Sequence, residues 1–78
     1  MKKEVKDKLS ELIKEALDNC SKDNLGERMG LFYILGTISA KTLSEDEITK
    51  IRFLANIIFV ESVEVRNYIL SEVIYEQY

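Results

Sequence analysis

The fold of this chain is decided by residues 43–65, which read LSEDEITKIRFLANIIFVESVEV. Ser44 and Glu47 have the spacing of a capping box, and Leu43 and Ile48 flank them as a hydrophobic staple. These signals predict that a helix starts at Glu45. Its main apolar stripe consists of Ile48, Ile51, Leu54, Ala55 and Ile58.

The end of this helix is marked more weakly, because the segment around Ser62 offers a cap but contains no Gly or Pro. The valines on both sides of Ser62 disfavour a helix there, since their side chains are β-branched. A break near Ser62 predicts helices over about 45–60 and 63–77. The alternative is one continuous helix over 45–77, about 50 Å long at 1.5 Å per residue, in an intertwined dimer. Only a second chain would cover the far half of such a helix.

Two more helices are predicted in the first half of the chain. The first, over about 3–20, is amphipathic, because its apolar residues recur at steps of three, four and one. These residues are Val5, Leu9, Leu12, Ile13, Ala16, Leu17 and Cys20. Asn24, followed by Glu27 at the third helical position, predicts a second helix over about 25–40.

The second helix is apolar over most of its circumference. Leu25, Met29 and Phe32 share one face, whereas Leu31 and Ile34 project elsewhere. A helix of this kind must be covered on several sides. Together the four helices predict an all-α antiparallel bundle that forms a single domain over residues 1–78.

The composition argues against an enzyme. The chain has no histidine, tryptophan or proline, and Cys20 is its one cysteine. No side chain therefore has an unperturbed pKa near neutrality, and one thiol builds neither a zinc site nor an internal disulfide. We expect no catalytic residue, no metal and no cofactor.

The charge pattern argues against nucleic acid and membranes as partners. The formal net charge is −3, and residues 44–78 carry three basic against seven acidic side chains. A phosphate-binding surface needs clustered basic residues instead. The longest uncharged stretch, 29–40, is shorter than the roughly 20 residues that cross a bilayer. We expect a cytoplasmic protein.

The polar face of the fourth helix is the candidate binding face. On a helical wheel of 63–77, Tyr68 and Tyr75 fall opposite the apolar positions, which are Val63, Val65, Ile69, Leu70, Val73 and Ile74. The same face carries Glu61, Glu64, Glu72 and Tyr78. Tyrosine is enriched among interface hot spots and carboxylates steer basic partners, so this face predicts a basic protein partner. The alternative is that the tyrosine rings cover their own helix and leave only the hydroxyls in water.

The sequence thus favours a non-enzymatic, cytoplasmic protein-binding module of the inhibitor, immunity or adaptor type. In its size, acidic charge and tyrosine-bearing helices the chain resembles the nuclease-inhibiting immunity proteins, which bind basic toxins, although it lacks their adjacent Tyr-Tyr pair. The alternative is a homo-oligomeric structural or regulatory subunit, expected to be a dimer. Its self-association would use Phe53, Ile57 and Val60, which form a second apolar face on the third helix.

Overall fold

A computed structural model describes residues 1–40 and 43–73. Over these residues the chain forms four helices and no strand: α1 (Lys3–Asn19), α2 (Leu25–Ile38), α3 (Glu45–Ile57) and α4 (Val63–Ser71). Both α1 and α3 pack against α2 and α4, so the helices follow one another around a closed ring. The predicted all-α four-helix bundle is confirmed.

The helix starts lie where the capping residues predict them. The Ser44 Oγ accepts a hydrogen bond from the Glu47 N–H at 3.2 Å, and Glu47 Oε1 accepts one from the Ser44 N–H at 2.9 Å. Both halves of the capping box are therefore formed. At α2 the Asn24 Oδ1 accepts from the Glu27 N–H at 3.3 Å. Each cap satisfies a backbone donor that the first turn of a helix leaves free.

The predicted break near Ser62 is also confirmed. α3 ends at Ile57, and Ser62 is the N-cap residue of α4. The chain therefore does not form a continuous helix over 45–77. α3 stops three residues earlier than predicted, where β-branched Ile57, Ile58 and Val60 disfavour a helix.

Two further helix ends differ from the prediction. α2 ends at Ile38 and not at about residue 40. α4 ends at Ser71, whereas the prediction extended it to 77, and the last four of those predicted positions lie outside the described residues.

The core is formed by residues of all four helices, by Phe59 between α3 and α4, and by Val73 after the end of α4. Its members are Val5, Leu9, Ile13, Leu31, Ile34, Ile38, Ile48, Ile51, Ala55, Phe59, Val65, Ile69 and Val73. Phe59 reaches the core because Gly30 makes room for its ring. A Cβ built on Gly30 would lie 3.2 Å from Phe59 Cε1.

The buried face of α2 shows which of its apolar sides the core uses, and that of α4 corrects one detail of the sequence analysis. α2 turns Leu31, Ile34 and Ile38 into the core and leaves Leu25, Met29 and Phe32 exposed. Val63, predicted to point inward, is 49 % exposed. It is the first residue of α4, and the turn before it sets its direction. None of the described helices has both the length and the apolar character needed to span a membrane.

Candidate functional site

In the described part of the chain, an apolar groove lies between α2 and α3. Its volume is about 520 Å³. We call it the α2–α3 groove, and it is lined by Gly26, Met29, Gly30, Tyr33, Lys50, Phe53, Leu54 and Ile58. Lys50 is the only charged side chain among the described residues that line it.

The side chains along this groove are far more exposed than apolar residues of their size usually are. Met29 is 71 % exposed and Phe53 is 61 % exposed. Leu25, Phe32 and Ile57 are exposed as well. For Leu25, Met29 and Phe32 the cause lies in α2, which is apolar on nearly every side while the core uses only one of its faces. An exposed apolar patch of this kind is typical of an interaction surface.

Two of the residues that line the groove are glycines, Gly26 and Gly30. A Cβ on Gly30 would meet Phe59, so Gly30 serves the packing of the core. A Cβ on Gly26 would meet no atom within 4 Å. The fold therefore gives no steric reason for glycine at residue 26.

Of the three predicted self-association residues, only Phe53 is among the residues that line this groove. Ile57 and Val60 are exposed but do not line it, and Val60, predicted on the third helix, lies beyond the end of α3. The sequence analysis did not include the α2 side of the surface, which carries Met29 and Tyr33. The signal for that side was present, since α2 has more apolar faces than one bundle core uses.

A second constellation of polar residues joins α2 to the segment between α3 and α4. Glu27 is 1 % exposed. Its Oε1 accepts hydrogen bonds from the N–H groups of Val60 at 3.0 Å and Glu61 at 3.2 Å, and its Oε2 accepts from the Ser62 N–H at 2.6 Å. Burial raises the pKa of the Glu27 carboxyl, but hydrogen bonds from Ser62, Glu61 and Val60 outweigh burial and lower it below its usual value. Glu27 is thus an ionised carboxylate that holds the α3–α4 connection.

Glu61, predicted to face a partner, accepts hydrogen bonds from the connection between α1 and α2. The Asn24 Nδ2 donates to Glu61 Oε2 at 2.6 Å, and the Ser21 N–H donates to Oε1 at 3.4 Å. The Cys20 thiol donates to Oε2 over 3.7 Å. Burial of the thiol, together with the negative charges of Glu61 and Glu27, raises the pKa of Cys20. Its thiol stays protonated near neutral pH and is a poor nucleophile.

The remaining predicted partner-face residues are spread along α4. Glu61 and Glu64 line a cleft of about 550 Å³ between α1 and α4, which Glu15 makes more acidic. Tyr68 is half-buried and packs against the core, while Glu72 is exposed at the end of α4. Tyr75 and Tyr78 lie outside the described residues. The structure brings Glu61 and Glu64 together, and Tyr68 lies one turn further along α4 than Glu64.

Within residues 1–40 and 43–73, no group of three or more His, Cys, Asp or Glu side chains is placed to hold a metal ion. Comparison of the chain with protein-family models, with curated proteins and with solved structures finds no match. The functional argument therefore rests on the surfaces of the molecule.

Proposed function

We propose that this protein is a non-enzymatic protein-binding module that binds another protein chain through the α2–α3 groove. The observation that carries the proposal is the run of exposed apolar side chains on both sides of the groove, above all Met29 and Phe53. We therefore propose a binding surface on α2 and α3 in preference to the tyrosine-bearing face of α4.

The energetics of burial support this choice of surface. Fully burying a side chain of the size of Met or Phe is worth about 1.5–3 kcal/mol relative to leaving it in water. In the isolated chain Met29 and Phe53 lack most of this free energy of burial, because both remain mostly exposed. By contrast Tyr68 is already half-buried against the core, and Glu61 is bonded within the chain. A partner that covers the α2–α3 groove would therefore bury more apolar surface than one that covers the α4 face.

The proposal predicts which positions touch the partner. A photo-crosslinking amino acid at residue 53 should form covalent products with protein in a lysate of the source cells, identified by mass spectrometry. The same amino acid at residue 14, on the exposed side of α1, is the matched control and should form none. A third position, residue 64, tests the acidic cleft.

Products that appear from residue 64 and not from residue 53 would reject the groove as the binding surface. Products from none of the three positions would contradict a protein-binding function. Crosslinks from residue 53 to a different protein and to a second copy of this chain both satisfy the proposal, because either one occupies the groove.

A further inference from the structure

We infer that the occupant of the α2–α3 groove is a second copy of this chain, in a symmetric dimer whose two grooves face each other. The inference rests on the proposed function and names the partner. It follows from three properties of the surface: its shape, its area and its charge.

The surface carries both projecting side chains and a depression. A two-fold symmetric interface uses the same patch on both subunits, so one patch must supply both the projecting side chains and the depression that receives them. Met29 and Phe53 project, and the groove between their helices has Gly26 in its floor. Since nothing within 4 Å would obstruct a Cβ on Gly26, the space there is left open for an atom from outside the chain.

The area of the surface suits a dimer. Five large apolar residues are between 42 % and 71 % exposed: Met29, Tyr33 and Phe53 line the groove, and Leu25 and Ile57 lie one helical turn from Met29 and Phe53. An aromatic side chain buries roughly 150–250 Å², and on that scale the exposed fractions of the five add up to on the order of 500 Å². A standard interface buries about 800 Å² on each partner, with an apolar core and a polar rim. The patch therefore supplies the apolar core of an interface of that size.

The charge of the surface permits a second copy. Lys50 is the only charged residue among the described ones lining the groove, and Asp46 precedes it by one helical turn on α3. The aliphatic part of a lysine packs on apolar surface while its ammonium group stays in water. No cluster of like charges in the lining would repel an identical surface or favour a strongly charged partner.

Sedimentation equilibrium of the purified full chain at micromolar concentration tests the inference. We expect twice the chain mass of 9.1 kDa. Phe53→Asp should raise the dimer dissociation constant at least ten-fold, because it places a charge in the apolar core of the interface. Val63→Asp is the matched control, since it puts the same charge at an exposed apolar position outside the groove, and it should leave the dissociation constant unchanged.

A wild-type monomer over this range would overturn the inference, as would a dimer that Phe53→Asp leaves intact. Neither result decides the proposed function, which the crosslinking experiment tests separately. The proposed function stands if residue 53 crosslinks to a different protein, and it is rejected if residue 53 forms no crosslink to any protein chain.

Gly26→Ala is a second, milder variant that keeps the surface apolar. It should preserve the helical circular dichroism spectrum and weaken the dimer, because the added methyl group fills the floor of the groove. Gly36→Ala is its control, since a Cβ there also meets open space but lies outside the groove, and it should leave the dimer unchanged. Equal dimerisation of wild type and Gly26→Ala would overturn the arrangement with facing grooves.

Discussion

At the scale of the residue, Glu27 has the largest structural role of any charged side chain in the described part of the molecule. It is buried, and its two carboxylate oxygens accept hydrogen bonds from three successive backbone N–H groups, those of Val60, Glu61 and Ser62. Buried charges are tolerated only when hydrogen bonds replace the lost water. Glu27 thus satisfies the backbone donors of the three residues that precede α4.

Glu27→Gln should lower the free energy of unfolding by about 1–3 kcal/mol at pH 7. The reason is that the amide replaces one acceptor oxygen by an NH₂ group, which faces backbone donors and leaves at least one of them unsatisfied. Urea unfolding followed by circular dichroism measures the change. A variant as stable as the wild type would show that these N–H groups find other acceptors.

The stability difference between wild type and Glu27→Gln should depend on pH. Because hydrogen bonds lower the pKa of Glu27 in the folded state, its carboxylate contributes stability that is fully present well above the unfolded value of about 4.3. That contribution is lost as the pH falls through the lower folded pKa. The stability difference between wild type and Glu27→Gln should therefore be largest near pH 7 and shrink below about pH 4. A difference that grows on acidification would contradict an ionised Glu27 in the fold.

At the scale of the element, α2 depends on one glycine for its contact with Phe59. Alanine is a better helix former than glycine by up to about 1 kcal/mol. At residue 30, however, the new methyl group would lie 3.2 Å from Cε1 of a ring that is buried and enclosed by the core. Overpacking a well-filled core typically costs about 1–3 kcal/mol.

Gly30→Ala should therefore be destabilising, by about 1 kcal/mol once the gain in helix propensity is subtracted. Thermal unfolding, compared with Gly36→Ala, measures the effect. At residue 36 the methyl group meets open space, so only the helix propensity acts and stability should rise. If both variants were stabilised equally, the Phe59 ring would have to move aside at no cost.

At the scale of the whole molecule, the sequence predicts what depends on short spacings. The starts of α2 and α3 follow from Asn24 with Glu27 and from Ser44 with Glu47. The two residues of each pair are only three positions apart, so the capping pattern is visible in the sequence. The break before α4 follows from the β-branched residues around Ser62. The burial of Glu27 could not be predicted in this way, since its hydrogen-bond donors lie 33 to 35 residues further along the chain.

The candidate site was predicted only in part, for a related reason. Phe53 and Ile57 lie off the main stripe of α3, so they stand out on a helical wheel, whereas Val60 was placed on the same face only because the helix was predicted to run to residue 60. α2 is apolar on nearly every side, and its periodicity does not say which face the core will use. That choice is made by the packing of Leu31 and Ile34 against the other helices, which only the structure shows.

The three backbone hydrogen bonds to Glu27 bear on how the molecule opens. Segments outside helices normally exchange their amide hydrogens with solvent quickly. The amides of Glu61 and Ser62 belong to no helix, yet both donate to the Glu27 carboxylate, which is itself shielded from water. Hydrogen–deuterium exchange followed by NMR should find these two amides protected to nearly the same degree as those in the middle of α1. In Glu27→Gln their protection should fall, whereas that of α1 follows only the global loss of stability. Rapid exchange in the wild type would mean that this corner opens long before the bundle unfolds.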